Sequence, residues 1–227
     1  MRPSALDALE AMRTIGTCRS YKPDDVADEV IYAAAESARF APQGGNRQPV
    51  RLVVVRERAT KERLRDLYLV PWQPYFEAAL AGVQALGPSL ASREKAVRAA
   101  DEFAHNLADH PLLIVVCARR DALVITDLEL DRPSVVGGAS IYPYVQNLCI
   151  ALRVQGVASA ITTLAVEAEP QVKELLGIPD EYLMACMMAV GYPERGFPRK
   201  LSRLPVEETV FLERFGEPID PPEGGGD

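Results

Sequence analysis

Histidine is almost missing from these 227 residues: only His105 and His110 are present, so mechanisms built on a histidine base have little to work with. The serine elbow Gly-x-Ser-x-Gly, the phosphate loop Gly-x-x-x-x-Gly-Lys-[Ser/Thr] and the fingerprint Gly-x-Gly-x-x-Gly are all absent. Their absence argues against α/β-hydrolases, P-loop nucleotidases and simple Rossmann dehydrogenases. No apolar run approaches the ~20 residues of a membrane helix; the longest are Pro111 to Ala118 and Tyr182 to Val190. Asp7 and Glu10 stand where a secretory leader would be apolar, so the expected location is the cytoplasm. The four cysteines include no Cys-x-x-Cys pair, and Cys117, Cys149 and Cys186 sit inside apolar runs while Cys18 stands apart. That spacing reads as reduced thiols rather than disulfides or a zinc site. With 25 basic residues against 32 acidic ones the net charge is −7, a field that repels nucleic acid and anionic lipid. Any anionic ligand has to be gripped locally.

What is present suits a soluble globular chain, 48% hydrophobic and 25% charged, whose length favours one large domain over two small ones. The expected domain spans 1–216. Residues 217–227 hold three prolines and three glycines and are expected to form a flexible tail. Spacing predicts a first helix from Ser4 to about Met12, and a second from Asp24 through Glu36 with Val26, Val30, Ala33 and Ala34 as its apolar stripe. After the loop Pro42 to Pro49, Leu52 to Val55 reads as a short buried strand. Residues 60–108 read as two or three helices broken by Pro71, Pro74, Gly87 and Pro88. Leu112 to Cys117 is the second strand. Ile141, Val145, Leu148 and Leu152 mark a helix begun near Gly138 and stopped by Gly156. Val157 to Leu164 is the third strand, Val166 to Leu176 a helix closed by Gly177, and Tyr182 to Val190 the fourth strand.

The spacing Glu102-x-x-His105 matches half of a di-iron ligand pair, but no second Glu-x-x-His follows, since residue 107 is leucine. Asp101, Glu102 and Asp109 near His105 are read instead as a solvated helix face with ordinary charge pairs, and no metal site is expected. The chemistry then falls to polar loops at the ends of buried elements: Arg13 to Tyr21, Pro42 to Pro49, Ser159 to Leu164 and Arg199 to Pro205. They combine arginines from both chain extremes, a Gly-Gly-Asn loop and a Ser/Thr-bearing strand end. A phosphorylated heterocycle suits that set, because arginine offers a fork of donors to phosphate, glycine lets backbone approach a flat ring, and amides match its donor and acceptor edge.

The stretch Arg39-Phe40-Ala41-Pro42-Gln43-Gly44-Gly45-Asn46-Arg47-Gln48-Pro49, followed by Val53-Val54-Val55, closely resembles the Ala-Pro-Ser-x-x-Asn-x-Gln-Pro-Trp signature of the nitroreductase family of FMN-dependent enzymes. Cys18-Arg19-Ser20-Tyr21 with Pro23 is similar to that family's N-terminal Arg-Ser-x-Arg-x-Tyr motif. The resemblance continues through Val145-Gln146-Asn147-Leu148, Thr162-Thr163-Leu164, Leu176-Gly177-Ile178-Pro179, Gly191-Tyr192-Pro193 and Ser202-Arg203-Leu204-Pro205, sparing only 60–110 and the tail.

The resemblance implies an α+β fold, with a central mixed, mostly antiparallel sheet flanked by helices, built as an intertwined homodimer with FMN at the interface. It implies that Arg19 and Arg203 hold the phosphate or the pyrimidine edge, with Thr17 and Ser20 nearby. Gln43, Gly44, Asn46 and Gln48 would border the ring, partly from the other subunit, and Thr162, Thr163 and Leu164 would approach its N5 side. No side-chain nucleophile is implied, because the flavin carries the chemistry: NADH or NADPH delivers hydride to N5 and leaves, and a nitroaromatic, quinone or similar small acceptor is reduced in ping-pong fashion. A flavin-dependent dehydrogenase or other biosynthetic redox enzyme of the same fold stays open, as does a flavin-binding protein without turnover. The chain departs from the motif at three places: Val50 replaces the usual tryptophan, Gly16 or Ile15 the first N-terminal arginine, and Leu201 a lysine two residues before Arg203. Arg13, Arg199 and Lys200 are the candidate replacements for the two missing cations.

Overall fold

The structure is a computed structural model that describes residues 6–85 and 91–221. Among these residues are six α-helices and four strands, as the sequence pattern anticipates. Strands β1 (Val50–Val55), β2 (Leu112–Arg119), β3 (Ala158–Thr162) and β4 (Tyr182–Gly191) form one sheet in the order β1-β2-β4-β3. All three pairings are antiparallel. β1 and β3 are the edges, with β2 and β4 between them.

The register of β2 against β4 slips once: Val116 faces Cys186 but Cys117 faces Met184, leaving Ala185 as an extra residue. This bulge inverts the alternation of β4. Met184 therefore shares a face with Met187 and Ala189, while Cys186, Met188 and Val190 point to the other. Both faces of the two central strands are buried, which explains why β2 and β4 read as unbroken apolar runs.

One face carries α2 (Asp28–Ala38) and α5 (Tyr142–Val154), with α1 (Ala8–Thr14) against α5. The first helix begins later than its pattern suggests, after Asp7 rather than Ser4, and Ser4 itself lies outside the described residues. The second also starts late, at Asp28 instead of Asp24. Val26, just before the cap residue Ala27, and Ile31 are both buried in the same core, the pairing of a hydrophobic staple that fixes the entry of the chain.

The other face carries α3 (Arg58–Ala85), α4 (Ala91–His105) and α6 (Glu169–Leu176). Pro71 and Pro74 do not break α3, which runs 28 residues through both. Two interior prolines cost about 6 kcal/mol. Burial of Leu64, Tyr68 and Trp72 with half-buried Phe76 returns roughly 1.5–3 kcal/mol for each fully covered side chain, which offsets that cost. The expected break at Gly87 and Pro88 lies outside the described residues. Residues Leu164–Ala168, expected partly as strand end and partly as α-helix, form a 3-10 turn before α6. Gly177 closes α6 at φ 64°, the left-handed cap that glycine adopts without strain. Of the expected tail, Ile219 N–H bonds to the Val210 carbonyl and Pro218 bridges to Phe211, while 222–227 lie outside the described residues.

Candidate active site

The strip from Gly16 to Lys22 runs beside the ends of β3 and β4. Cys18 N–H bonds to the Ser159 carbonyl at 3.1 Å, Lys22 N–H to Tyr192 at 2.9 Å, and Tyr21 bridges to Pro193. The Tyr21 hydroxyl shares its proton between the carbonyls of Cys18 and Ala189, at 2.7 and 3.0 Å. Burial holds its pKa well above the ordinary phenol value. These bonds fix Arg19 and Thr17 while leaving both side chains exposed.

Two cavities meet at this strip. The larger, about 880 Å³, lies between the strip, the C-terminal part of α4 and the loop 193–198. The second, about 350 Å³, is walled by Tyr68, Trp72, Tyr75 and Phe76 of α3 and reaches Ala160, Ile161 and Thr162 of β3. Thr17, Arg19 and Phe103 line both. Tyr68 and Trp72 stack with ring centres 5.7 Å apart, and Thr162 Oγ1 donates to the Tyr68 hydroxyl at 3.1 Å. No carboxylate lies within ion-pair distance of Arg19 among the described residues.

Ser20 is already engaged, its hydroxyl donating to a carboxylate oxygen of Glu194. Thr162 is half-buried, Thr163 exposed and Leu164 half-buried at the end of β3. Arg13 and Arg203 are not in either cavity but in a third of about 410 Å³, together with Met12, Arg199, Lys200 and Leu201. Leu201 lines the large cavity as well.

Gln43, Gly44, Asn46 and Gln48 sit elsewhere, on the approach to edge strand β1. Their loop is wound tightly: Gly45, Asn46 and Gln48 have φ of 59°, 51° and 49°. Two non-glycine residues in the left-handed region store strain of the kind found at ligand clamps. Gly44 N–H donates to Ser140 Oγ at 3.0 Å, and the buried amide oxygen Oε1 of Gln43 has no partner. From β1 to β3 is three strand spacings, about 14 Å, and neither cavity at the Arg19 strip contains any residue of 43–48. The structure therefore divides the expected residues into two sets on opposite edges of the sheet.

The two histidines differ in setting. His105 lies on α4, 3.6 Å from Asp101 as expected. His110 instead is buried against the large cavity, stacked on Phe103 and edge-on to Tyr21, each at 4.9 Å. Burial lowers its pKa to about 4, so it is neutral at neutral pH, with Nε2 unpartnered. Of the cysteines, Cys117 and Cys186 are pushed up by burial to about 11 and about 12, and half-buried Cys18, also raised by burial, lines the large cavity. The aromatic wall of α3 was missed by sequence reasoning, although Tyr68, Trp72 and Phe76 recur every four residues, the spacing of one helix face.

The sequence pattern of the nitroreductase family matches residues 14–192. The chain belongs to the nitroreductase family. An NADH dehydrogenase of Thermus thermophilus is 28% identical over 209 residues, covering 91% of this chain and 96% of the relative. A BluB-like flavoprotein from Clostridium difficile 630 superposes with TM-score 0.70 at 22% identity, over 92% of this chain and all of the other. An FMN- and NADPH-dependent nitroreductase from Sphigopyxis sp. strain HMH gives 0.66 at 18% identity, over 92% of this chain and all of its own. The nitroreductase fold is thereby established, and the Arg19 strip and the 43–48 loop both lie within the matched span. No described helix is long and apolar enough to cross a membrane.

Proposed function

We propose that the chain is an FMN-dependent NAD(P)H oxidoreductase that reduces nitroaromatics, quinones or similar small acceptors, and that it works as a homodimer. The carrying observation is Arg19, a cation without a carboxylate partner among the described residues, where the large cavity meets the aromatic one.

The residues fit a flavin. A buried acceptor without a donor, Gln43 Oε1, suits the N–H of a pyrimidine edge, and the exposed side-chain amides of Asn46 and Gln48 offer further donors and acceptors. FMN, when bound, supplies hydride acceptance from NADH or NADPH and delivery to the acceptor, in ping-pong order. Arg19, always charged, stabilises negative charge that reduction places beside it. Thr17, Thr162, Thr163 and Leu164 border the ring, Ser20 holds the loop 193–198 through Glu194, and Arg13 and Arg203 face its phosphate end. Tyr68, Trp72, Tyr75 and Phe76 form an apolar wall that excludes water and stacks flat acceptors.

A second copy of the chain brings the 43–48 loop to the Arg19 strip, since one copy holds them on opposite sheet edges. Leu9 and Met12 of α1, Tyr32 of α2 and Val154 of α5 are exposed on the helical face opposite α3 and α4, apolar surface that such a copy covers.

The test is the visible absorbance of the purified chain before and after anaerobic NADH and then NADPH. Flavin bands that bleach support the reading. Flavin that binds without bleaching favours a binding protein without turnover, the alternative suggested by Gly16 and Leu201, and absence of flavin even after reconstitution with FMN refutes both.

A further inference from the structure

Where the aromatic cavity meets the end of β3, one polar group is only half used. The hydroxyls of Tyr21 and Tyr142 donate to backbone carbonyls. That of Tyr68 accepts from Thr162 Oγ1 and, among the described residues, donates to nothing. Tyr68 is 2% exposed, so its proton has little bulk water to turn to, and a buried donor without an acceptor is costly. Burial also raises the pKa of this phenol, which keeps the proton on its oxygen, and the charge of Arg19 is near enough to act on it.

The rest of the cavity is shaped for a flat guest. The ring planes of Tyr68 and Trp72 lie 19° apart and those of Trp72 and Phe76 20° apart, a run of nearly parallel faces along α3. The α4 side contributes the small side chains of Ala96, Val97 and Ala100, which leave room beside those rings. The indole N–H of Trp72 is already spent on Asp101. No acid lines the space, and its one charge is that of Arg19. A ring carrying an oxygen acceptor therefore finds a free donor in the wall, the Tyr68 hydroxyl.

We propose that the Tyr68 hydroxyl, held by Thr162, donates a hydrogen bond to an oxygen of the acceptor, and so selects flat rings bearing a carbonyl or nitro oxygen over rings of the same shape without one. The inference rests on the oxidoreductase reading above and deepens it: stacking on the aromatic wall admits any flat ring, and Tyr68 adds the choice among them. With a lone pair of the phenol oxygen filled by Thr162, the O–H points away from that residue and is set before the acceptor arrives. An analogue lacking the oxygen leaves this buried donor stranded, which is how a hydrogen-bonding site rejects it. The same bond draws electron density toward the oxygen, and a ring so polarised takes up hydride more readily.

The experiment measures by calorimetry the binding of acetophenone and of ethylbenzene to the full-length chain carrying FMN, with no NADH or NADPH present. The two probes differ only in a carbonyl oxygen. Tyr68→Phe keeps a ring beside Trp72 and should weaken acetophenone by about two- to tenfold, the worth of one neutral hydrogen bond, without weakening ethylbenzene. Thr162→Val, which frees the hydroxyl to turn, should shift the ratio of the two affinities in the same direction. Emission of Trp72, the sole tryptophan, checks that the wall keeps its shape in each variant. An equal loss for both probes in Tyr68→Phe makes the residue packing alone, and an unchanged ratio places the donor elsewhere; either result overturns the proposal while the bound flavin leaves the reading standing. The same holds if the wild-type chain with FMN binds neither probe. A fall in FMN affinity in Tyr68→Phe with the probe ratio kept assigns the proton to the flavin and also overturns it. A chain that takes up no FMN overturns the proposal together with the reading beneath it.

Discussion

The indole N–H of Trp72 donates to Oδ1 of Asp101 at 2.8 Å, tying α3 to α4 across the aromatic cavity. Trp72 is 7% exposed, and it is the sole tryptophan. Asp101→Ala strands its N–H, a loss of roughly 1–3 kcal/mol, and should lower the unfolding midpoint and shift tryptophan emission. Asp101→Asn keeps an acceptor and should stay near wild type. Identical emission spectra for the alanine variant and the wild-type chain would count against a structural role for the bond.

Stability should rise with pH between about 4 and 6.5. Burial depresses His110 from 6.5 to about 4 in the fold, so within this window the unfolded chain takes up a proton that the native chain refuses. The stabilisation is complete above 6.5 and is lost as pH falls toward 4, a difference of about 3 kcal/mol. Urea unfolding at pH 7 and pH 5 reads it. His110→Phe, which preserves the stack on Phe103, should flatten the dependence.

Asp127 organises the loop after β2. Its buried carboxylate accepts bonds from Ser134 Oγ at 2.7 Å and Val135 N–H at 2.8 Å, and pairs with Arg132. These bonds, that from Ser134 foremost, pull its pKa from 3.8 to about 2. The stabilisation is present above 3.8 and lost as pH falls toward 2. Asp127→Ala should open the loop, with faster proteolytic cleavage between residues 123 and 136; equal cleavage rates would argue against this role.

Gly191 is closely enclosed. An added Cβ would lie 2.8 Å from Pro111 Cγ and 3.0 Å from Tyr21 Cδ1, and Tyr21 is held by its hydroxyl, which donates to the carbonyls of Cys18 and Ala189. Gly191→Ala should therefore cost about 1–3 kcal/mol as overpacking. It should also displace the strip carrying Arg19, so flavin affinity falls along with the melting temperature. A stable variant with normal affinity would show that the strip can give.

Strands β2 and β4 were plain in the sequence because both their faces are buried, and no polar alternation blurs them. Gly156 and Gly177 marked helix ends for a backbone reason that is local, their φ of 78° and 64°. Pro71 and Pro74 misled for the opposite reason: whether α3 survives them depends on what covers Tyr68 and Trp72, and α4 and the sheet do so only through tertiary packing, which local spacing does not reveal. His110 was illegible on the same ground, since Phe103 and Tyr21 bury it from two directions. The motif residues were readable one by one. Their division between two sheet edges was not, because it follows from strand order rather than from spacing.

That division carries a thermodynamic consequence. In the homodimer proposed above, a ligand gripped by both the 43–48 loop and the Arg19 strip would belong to two chains at once, so its affinity and the cohesion of the subunits would become one linked equilibrium. Dilution then strips the ligand as it parts the chains, and saturating ligand postpones the parting. In the proposed dimer, retention of the cofactor is in this way a property of protein concentration.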